Sequence, residues 1–247
     1  MKKEEKEKIY TLLKTASDSL CGYASPDFAG EMPHFKDDVE VRSSAEGETA
    51  PNLENADSTI ANINKKITEC KRCQLCAARH TVVPGMGVEK PLVLVIGEGP
   101  GEEEDKQGKP FVGSAGQLLD KMLAAISLSR EKNCYIANIV KCRPPANRTP
   151  LPEEADACRP FLDAQIAALK PKAILCAGSV AVKNLFHTSD GVMKLHGKVL
   201  DFNGIPVVTT WHPSALLRAP ENKRPAWEDL KVFRTVLLGI APDYEKI

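Results

Sequence analysis

Residues 92–113 read LVLVIGEGPGEEEDKQGKPFVG: an apolar run that breaks at Gly97 into a glycine-rich turn, four consecutive acids, and a second turn rich in glycine and proline. Apolar residues in unbroken succession suit a strand buried on both faces. Three further runs have the same character, Cys134 to Val140, Ala173 to Ala177 and Ile205 to Thr210. Between them, Ser114 to Ile126, Pro152 to Leu169 and Ser179 to Phe186 carry helical spacing. Strands alternating with helices predict an α/β, three-layer fold with a four-stranded parallel sheet flanked by helices. Ligands of such sheets sit beyond the carboxyl ends of the strands.

The chain has 247 residues, 43% hydrophobic and 27% charged, enough for one sizeable domain and an appendage. Residues 3 to 20 read as an amphipathic helix with Ile9, Leu12, Leu13 and Leu20 on one side. A polar stretch from Gly22 to about Ser58 follows and reads as a linker. The expected division is therefore 1–58, an N-terminal helix plus acidic linker, and 59–247, the α/β domain, which a helix leading into Cys70 opens. Net charge is zero overall, yet residues 1 to 58 hold 7 basic and 13 acidic residues, which leaves 26 and 20 in the remainder. A mild positive bias in the larger part suits a polyanionic partner. Neither a long apolar run nor a signal-peptide core occurs, so the expectation is a cytoplasmic protein without a membrane partner.

The residues just after each strand carry the chemistry. The turn from Gly97 to Gly101 lets backbone N–H groups approach a ligand. It is neither a Walker loop, for want of the Gly-Lys-Ser/Thr ending, nor a dinucleotide turn of G-x-G-x-x-G spacing, and Glu102, Glu103, Glu104 and Asp105 would repel a triphosphate. Asn138 ends the second strand before Lys141 and Arg143; its amide can donate to one ring atom and accept from another, the way a protein reads a base edge. The plain alternative is an amide that satisfies a loop. His212 leaves the last strand, followed by the apolar pair Leu216 and Leu217 and then Arg218; apolar wedges beside cations are what unstack bases. A lone histidine would more often be structural.

Cysteine spacing adds a metal. Cys70-x2-Cys73 is a knuckle, and Cys142 and Cys158 flank a Pro-rich loop. Four thiolates in a cytosolic protein can hold zinc or an iron–sulfur cluster, or lie buried as thiols that bind nothing, and spacing leaves these open. Cys76 is an alternative ligand. Cys21, Cys134 and Cys176 read as linker or strand residues.

Residues 66 to 238 resemble the family 4 uracil-DNA glycosylases, bacterial and thermostable enzymes with a 4Fe–4S cluster. The resemblance rests on Cys70-x2-Cys73, the block Gly97 to Gly113, Asn138-Ile-Val-Lys-Cys-Arg-Pro-Pro, Cys158, and His212-Pro with Leu216-Leu217-Arg218, in family order. It implies base-excision repair: hydrolysis of the N-glycosidic bond of flipped deoxyuridine in DNA, leaving an abasic site. It also implies that Cys70, Cys73, Cys142 and Cys158 hold a 4Fe–4S cluster, which selects iron over zinc. By the same resemblance uracil stacks on Phe111, the Asn138 amide separates it from cytosine, and His212 donates to the uracil oxygen that gains charge as the bond breaks. Backbone groups of Glu98, Gly99 and Gly101 line the pocket and hold the attacking water. Leu216 or Leu217 fills the gap in the duplex, and Arg218, Lys141 and Arg143 contact phosphates.

Two departures bear on mechanism. Where the best-known uracil glycosylases carry an aspartate, this chain has Gly99, so Glu98 or Glu104 must serve, or the sugar must dissociate far enough to need little activation of water. The expectation is the second, with Glu104 positioning water. Residues 1 to 58 lie outside the family motifs and have room for a protein partner; the enzyme itself is expected to be a monomer. Two alternatives follow from the same residues: a cluster-bearing DNA-binding or redox module without catalysis, and a glycosylase of broader taste for deaminated bases. Joint retention of Phe111, Asn138 and His212 favours the enzyme.

Overall fold

The computed structural model describes residues 59–246. The expected N-terminal helix and linker lie outside them. Two helices open the described chain, α1 (Ile60–Thr68) and α2 (Leu75–Ala78). The order continues β1 (Met86–Gly87), β2 (Val93–Gly97), α3 (Glu102–Gln107), α4 (Ser114–Ala124), β3 (Cys134–Asn138), α5 (Pro152–Leu169), β4 (Ala173–Ala177) and α6 (Ser179–Phe186). It closes with α7 (Val192–Leu195), β5 (Val199–Phe202), β6 (Ile205–Thr210), α8 (Pro213–Arg218) and α9 (Lys223–Ile240).

The strands form one sheet in the order β1-β3-β2-β4-β6-β5. Its four central strands are parallel, with Val93 to Gly97 of β2 paired to Cys134 to Asn138 on one side and Val93 to Ile96 paired to Ala173 to Cys176 on the other. The expected four-stranded parallel sheet is thus the centre of a six-stranded mixed sheet. β1 and β5 pair antiparallel on its two edges. β1 is two residues long, too short to show periodicity. β5 reaches β6 through Asn203-Gly204, both at positive φ (53° and 83°), a hairpin signal that stood in the sequence.

Alternation along each central strand feeds two cores. Leu94, Ile96, Ile174 and Cys176 face one way and pack with Ile63 and Ile67 of α1, Leu162 of α5 and Leu185 of α6. Val93, Val95, Leu175 and Val208 face the other way and pack with Leu119 and Leu123 of α4 and with Leu230, Phe233 and Leu237 of α9. Burial on both faces explains why these strands read as unbroken apolar runs. Each such leucine or valine contributes on the order of 1.5–3 kcal/mol, and the parallel register places four strand ends along one edge.

Candidate active site and cysteine cluster

A cavity of about 370 Å³ opens at that edge. Its walls come from the turn after β2 (Glu98, Gly99, Pro100, Gly101), from Glu104, Phe111 and Asn138, and from His212, Ser214 and Arg218 after β6. Pro144, Asn147, Arg148 and Thr149, from the loop between β3 and α5, also line it. The side chains expected to bind substrate therefore converge on one space, together with loop residues that the sequence reading did not single out.

Asn138 is 1% exposed, and neither its Nδ2 nor its Oδ1 has a hydrogen-bond partner among the described residues. Leaving a buried amide unpaired costs about 1–3 kcal/mol per group, so an amide facing a cavity in this state is poised for a ligand. A Cβ at Gly97 would collide with this amide and with the Phe111 ring, which explains glycine at the end of β2. A Cβ at Gly99 would meet Val140 Cγ2 at 2.8 Å, so a side chain at this position would require Val140 to shift.

Phe111 stands with φ at 52°, in the left-handed region that a bulky side chain rarely enters, at a cost on the order of 1–3 kcal/mol. Charged groups on both sides hold it there. Glu104 Oε1 accepts from the N–H groups of Val112 (2.8 Å) and Gly113 (2.9 Å), and its Oε2 accepts from Gly101 N–H (3.1 Å). The buried Arg130 donates through Nη1 to the Pro110 carbonyl and through Nη2 to the Phe111 carbonyl, each at 2.9 Å. Glu104, expected to position water, thus uses both oxygens to brace the turns that carry Gly101 and Phe111.

His212 packs its ring 5.6 Å from that of Phe111, centroid to centroid. Nδ1 lies 2.8 Å from Ser214 Oγ and accepts from the Ser214 N–H at 3.2 Å; with Nδ1 as acceptor, Nε2 carries the proton of a neutral ring. Burial, with the Arg218 cation behind it, lowers the imidazole pKa to about 4. At neutral pH the ring is an uncharged donor. Burial raises the Glu98 carboxyl, against the opposing pull of the Thr149 hydroxyl and Arg218.

Three of the residues expected at DNA separate on inspection. Leu217 is 45% exposed, whereas Leu216 is buried with Val192, Trp211 and Ala226, so only Leu217 is free to enter a duplex. Lys141 corrects the expectation outright. It is 1% exposed, and its ammonium donates to the Asn138 carbonyl and to Gln165 Oε1, each at 2.7 Å. Burial lowers its pKa to about 8. Arg143 stays near the surface, 3.6 Å from Glu102 and hydrogen-bonded to Asn147.

Cys70, Cys73, Cys142 and Cys158 line a second concavity beside Ile67, Val82 and Phe161, and Cys76 joins them. Arg79, which the sequence reading did not single out, donates from Nη1 to Cys142 Sγ and from Nη2 to the Cys70 carbonyl, both at 3.0 Å. Burial pushes the Cys142 thiol up to about 11 and raises Cys73 and Cys158 as well. Among the described residues no three His, Cys, Asp or Glu side chains form a group that could hold a single metal ion. None of the described helices is long and apolar enough to cross a membrane.

The fold and the site are thus a parallel α/β sheet with an amide, a phenyl ring and a neutral imidazole around one cavity. The family model described as the uracil DNA glycosylase superfamily matches residues 84–231. A type-4 uracil-DNA glycosylase of Thermotoga maritima is 42% identical over 179 residues, covering 71% of this chain and 93% of the relative. Enzymes of the same name from Archaeoglobus fulgidus and Sulfurisphaera tokodaii are each 38% identical, over 70% and 74% of this chain and 90% and 86% of theirs. The chain belongs to the uracil-DNA glycosylase superfamily and, within it, to the type-4 uracil-DNA glycosylases.

Proposed function

We propose that this chain hydrolyses the N-glycosidic bond of deoxyuridine in DNA, releasing uracil and leaving an abasic site as the first step of base-excision repair. The observation that carries the reading is the buried, unpartnered Asn138 amide, set beside Phe111 and a neutral His212 in a family member. Uracil presents an N–H and a carbonyl side by side, and an amide matches both. Cytosine presents an acceptor and an amino group at the same atoms, and the amide would need to turn over to serve it.

Phe111 supplies the stacking face. His212 donates from Nε2 to the uracil oxygen on which charge grows, a role typically worth about 3–4 kcal/mol. A neutral donor suits that task, since it stabilises charge without first losing its own. The backbone of Glu98, Gly99 and Gly101 flanks the sugar side of the cavity. Both carboxylates line the cavity and either can hold water, Glu104 with its orientation fixed by three backbone N–H groups. With glycine and not a carboxylate at position 99, the reaction runs through a largely dissociated, oxocarbenium-like sugar. Leu217 fills the vacated stack, and Arg218 and Arg143 meet phosphates.

Cys70, Cys73, Cys142 and Cys158 fit a 4Fe–4S cluster: they are the thiols of two distant segments brought to one concavity, with Arg79 and Lys141 beside them to offset thiolate charge. Cys70 and Cys73, just after α1, Cys142, before the loop that carries Pro144 to Thr149, and Cys158, on α5, would hold the cluster, which would supply a structural tie between these segments.

An oligonucleotide with one uracil, treated with the purified protein and then alkali, tests the proposal. Strand cleavage at uracil and not at thymine or cytosine is expected. A folded, iron-loaded protein that leaves uracil in place would overturn it.

A further inference from the structure

Phe111 has to present one flat face to a flipped base, yet its backbone sits where a phenylalanine does not rest by itself. Every peptide group around it is fastened from outside its own turn. Glu104 holds the N–H groups after Phe111, and Arg130, nineteen positions beyond Phe111 in the chain and 7% exposed, holds the carbonyls of the turn. Nη1 takes the Pro110 carbonyl, Nη2 takes the Phe111 carbonyl, and both Nε (3.1 Å) and Nη2 (2.7 Å) hold Asp120 Oδ1. Asp120, on α4, thereby orients the fork. Gly116, also on α4, completes the seat, since a Cβ there would overlap the Phe111 carbonyl. A lysine offers a point charge without the planar fork, so it cannot reproduce two carbonyl bonds and an aspartate bond at once.

We propose that Arg130, oriented by Asp120, is a positioning residue for base excision: it sets the angle and depth of the Phe111 ring on which the base stacks. The proposal rests on the function given above. Arg130 does not line the cavity and acts only through Phe111, so its effect belongs to the base and not to the DNA backbone.

Arg130→Lys is the variant to make, with Asp120→Asn as the milder second should the first fold poorly, each checked by thermal melting. Single-turnover excision should fall about 10- to 100-fold, the scale of a displaced contact of this kind. Affinity for undamaged DNA should stay within about twofold, and inhibition by free uracil should weaken. In a Phe111→Leu background Arg130→Lys should cost less than about threefold, because the ring it acts through is gone. A crystal structure of Arg130→Lys should show Phe111 leaving the left-handed region. Losses that multiply in the double variant, or wild-type excision and uracil inhibition in Arg130→Lys, would overturn the inference. A wild-type protein that excises no uracil would instead strike the proposed function, and the Phe111 conformation in the variant would still decide whether Arg130 sets the ring.

Discussion

Asn138 and Cys142 are four positions apart in the chain, and the two stand in sites of opposite character. Asn138 keeps a buried amide without a hydrogen-bond partner among the described residues, beside a cavity open enough for a base. At Cys142 the cations are engaged: Arg79 with the sulfur itself, Lys141 with Gln165 and the Asn138 carbonyl. One region carries an unmet hydrogen-bonding demand that a substrate answers, and the other gathers its own chain into a fixed corner. The difference predicts that damage to the first will cost activity and spare the fold, and that damage to the second will cost the fold first.

The largest break should come from Asn138→Leu. Loss of the base reader should lower excision on the order of 10³- to 10⁴-fold. An apolar group of similar size has no unmet partners, so the melting temperature should hold or rise by a few degrees; a clear drop would show that the amide is structural. His212→Ala should cost about 10²- to 10³-fold. With its pKa lowered to about 4, the wild-type histidine stays a neutral donor well below pH 6.5, so the acid limb of the rate profile should set in as pH approaches 4. The stability linked to its neutrality is full above about pH 6.5 and is lost as pH falls toward 4, because the unfolded chain takes up the proton first.

On the other side of the comparison, alanine at Cys70, Cys73, Cys142 or Cys158 should lower soluble yield and iron content together, with a destabilisation of about 4 kcal/mol or more. Cys76→Ala should leave both near wild type. Equal iron in Cys142→Ala and wild type would undo the ligand assignment. The smallest effect sharpens the border between the two sites. Arg218→Ala should reduce the slope of log affinity against log salt by about one, and Lys141→Met should leave that slope unchanged, because a buried ammonium releases no counterion from DNA.

Much of this was legible in the chain. The four central strands and the helices over 152–169 and 179–186 follow from apolar runs and helical spacing, and the edge at which Gly97, Asn138 and His212 meet follows from parallel topology. The strand expected over 134–140 ends at Asn138, where the chain turns to carry Lys141 inward. The antiparallel edges escaped notice, β1 through brevity and β5 although Asn203-Gly204 announced its hairpin.

The amino-acid sequence by itself determined the class of fold, the motifs around the base site and the cysteines grouped with them, because periodicity and residue type are local properties of a chain. Only the tertiary structure decided that Leu217 and not Leu216 faces outward, that Lys141 serves the interior, that Glu104 braces a loop, and that Arg130 reaches back to Phe111. Those facts depend on which way a side chain points once distant segments pack, and adjacent residues of like chemistry can be sent to opposite sides of one turn.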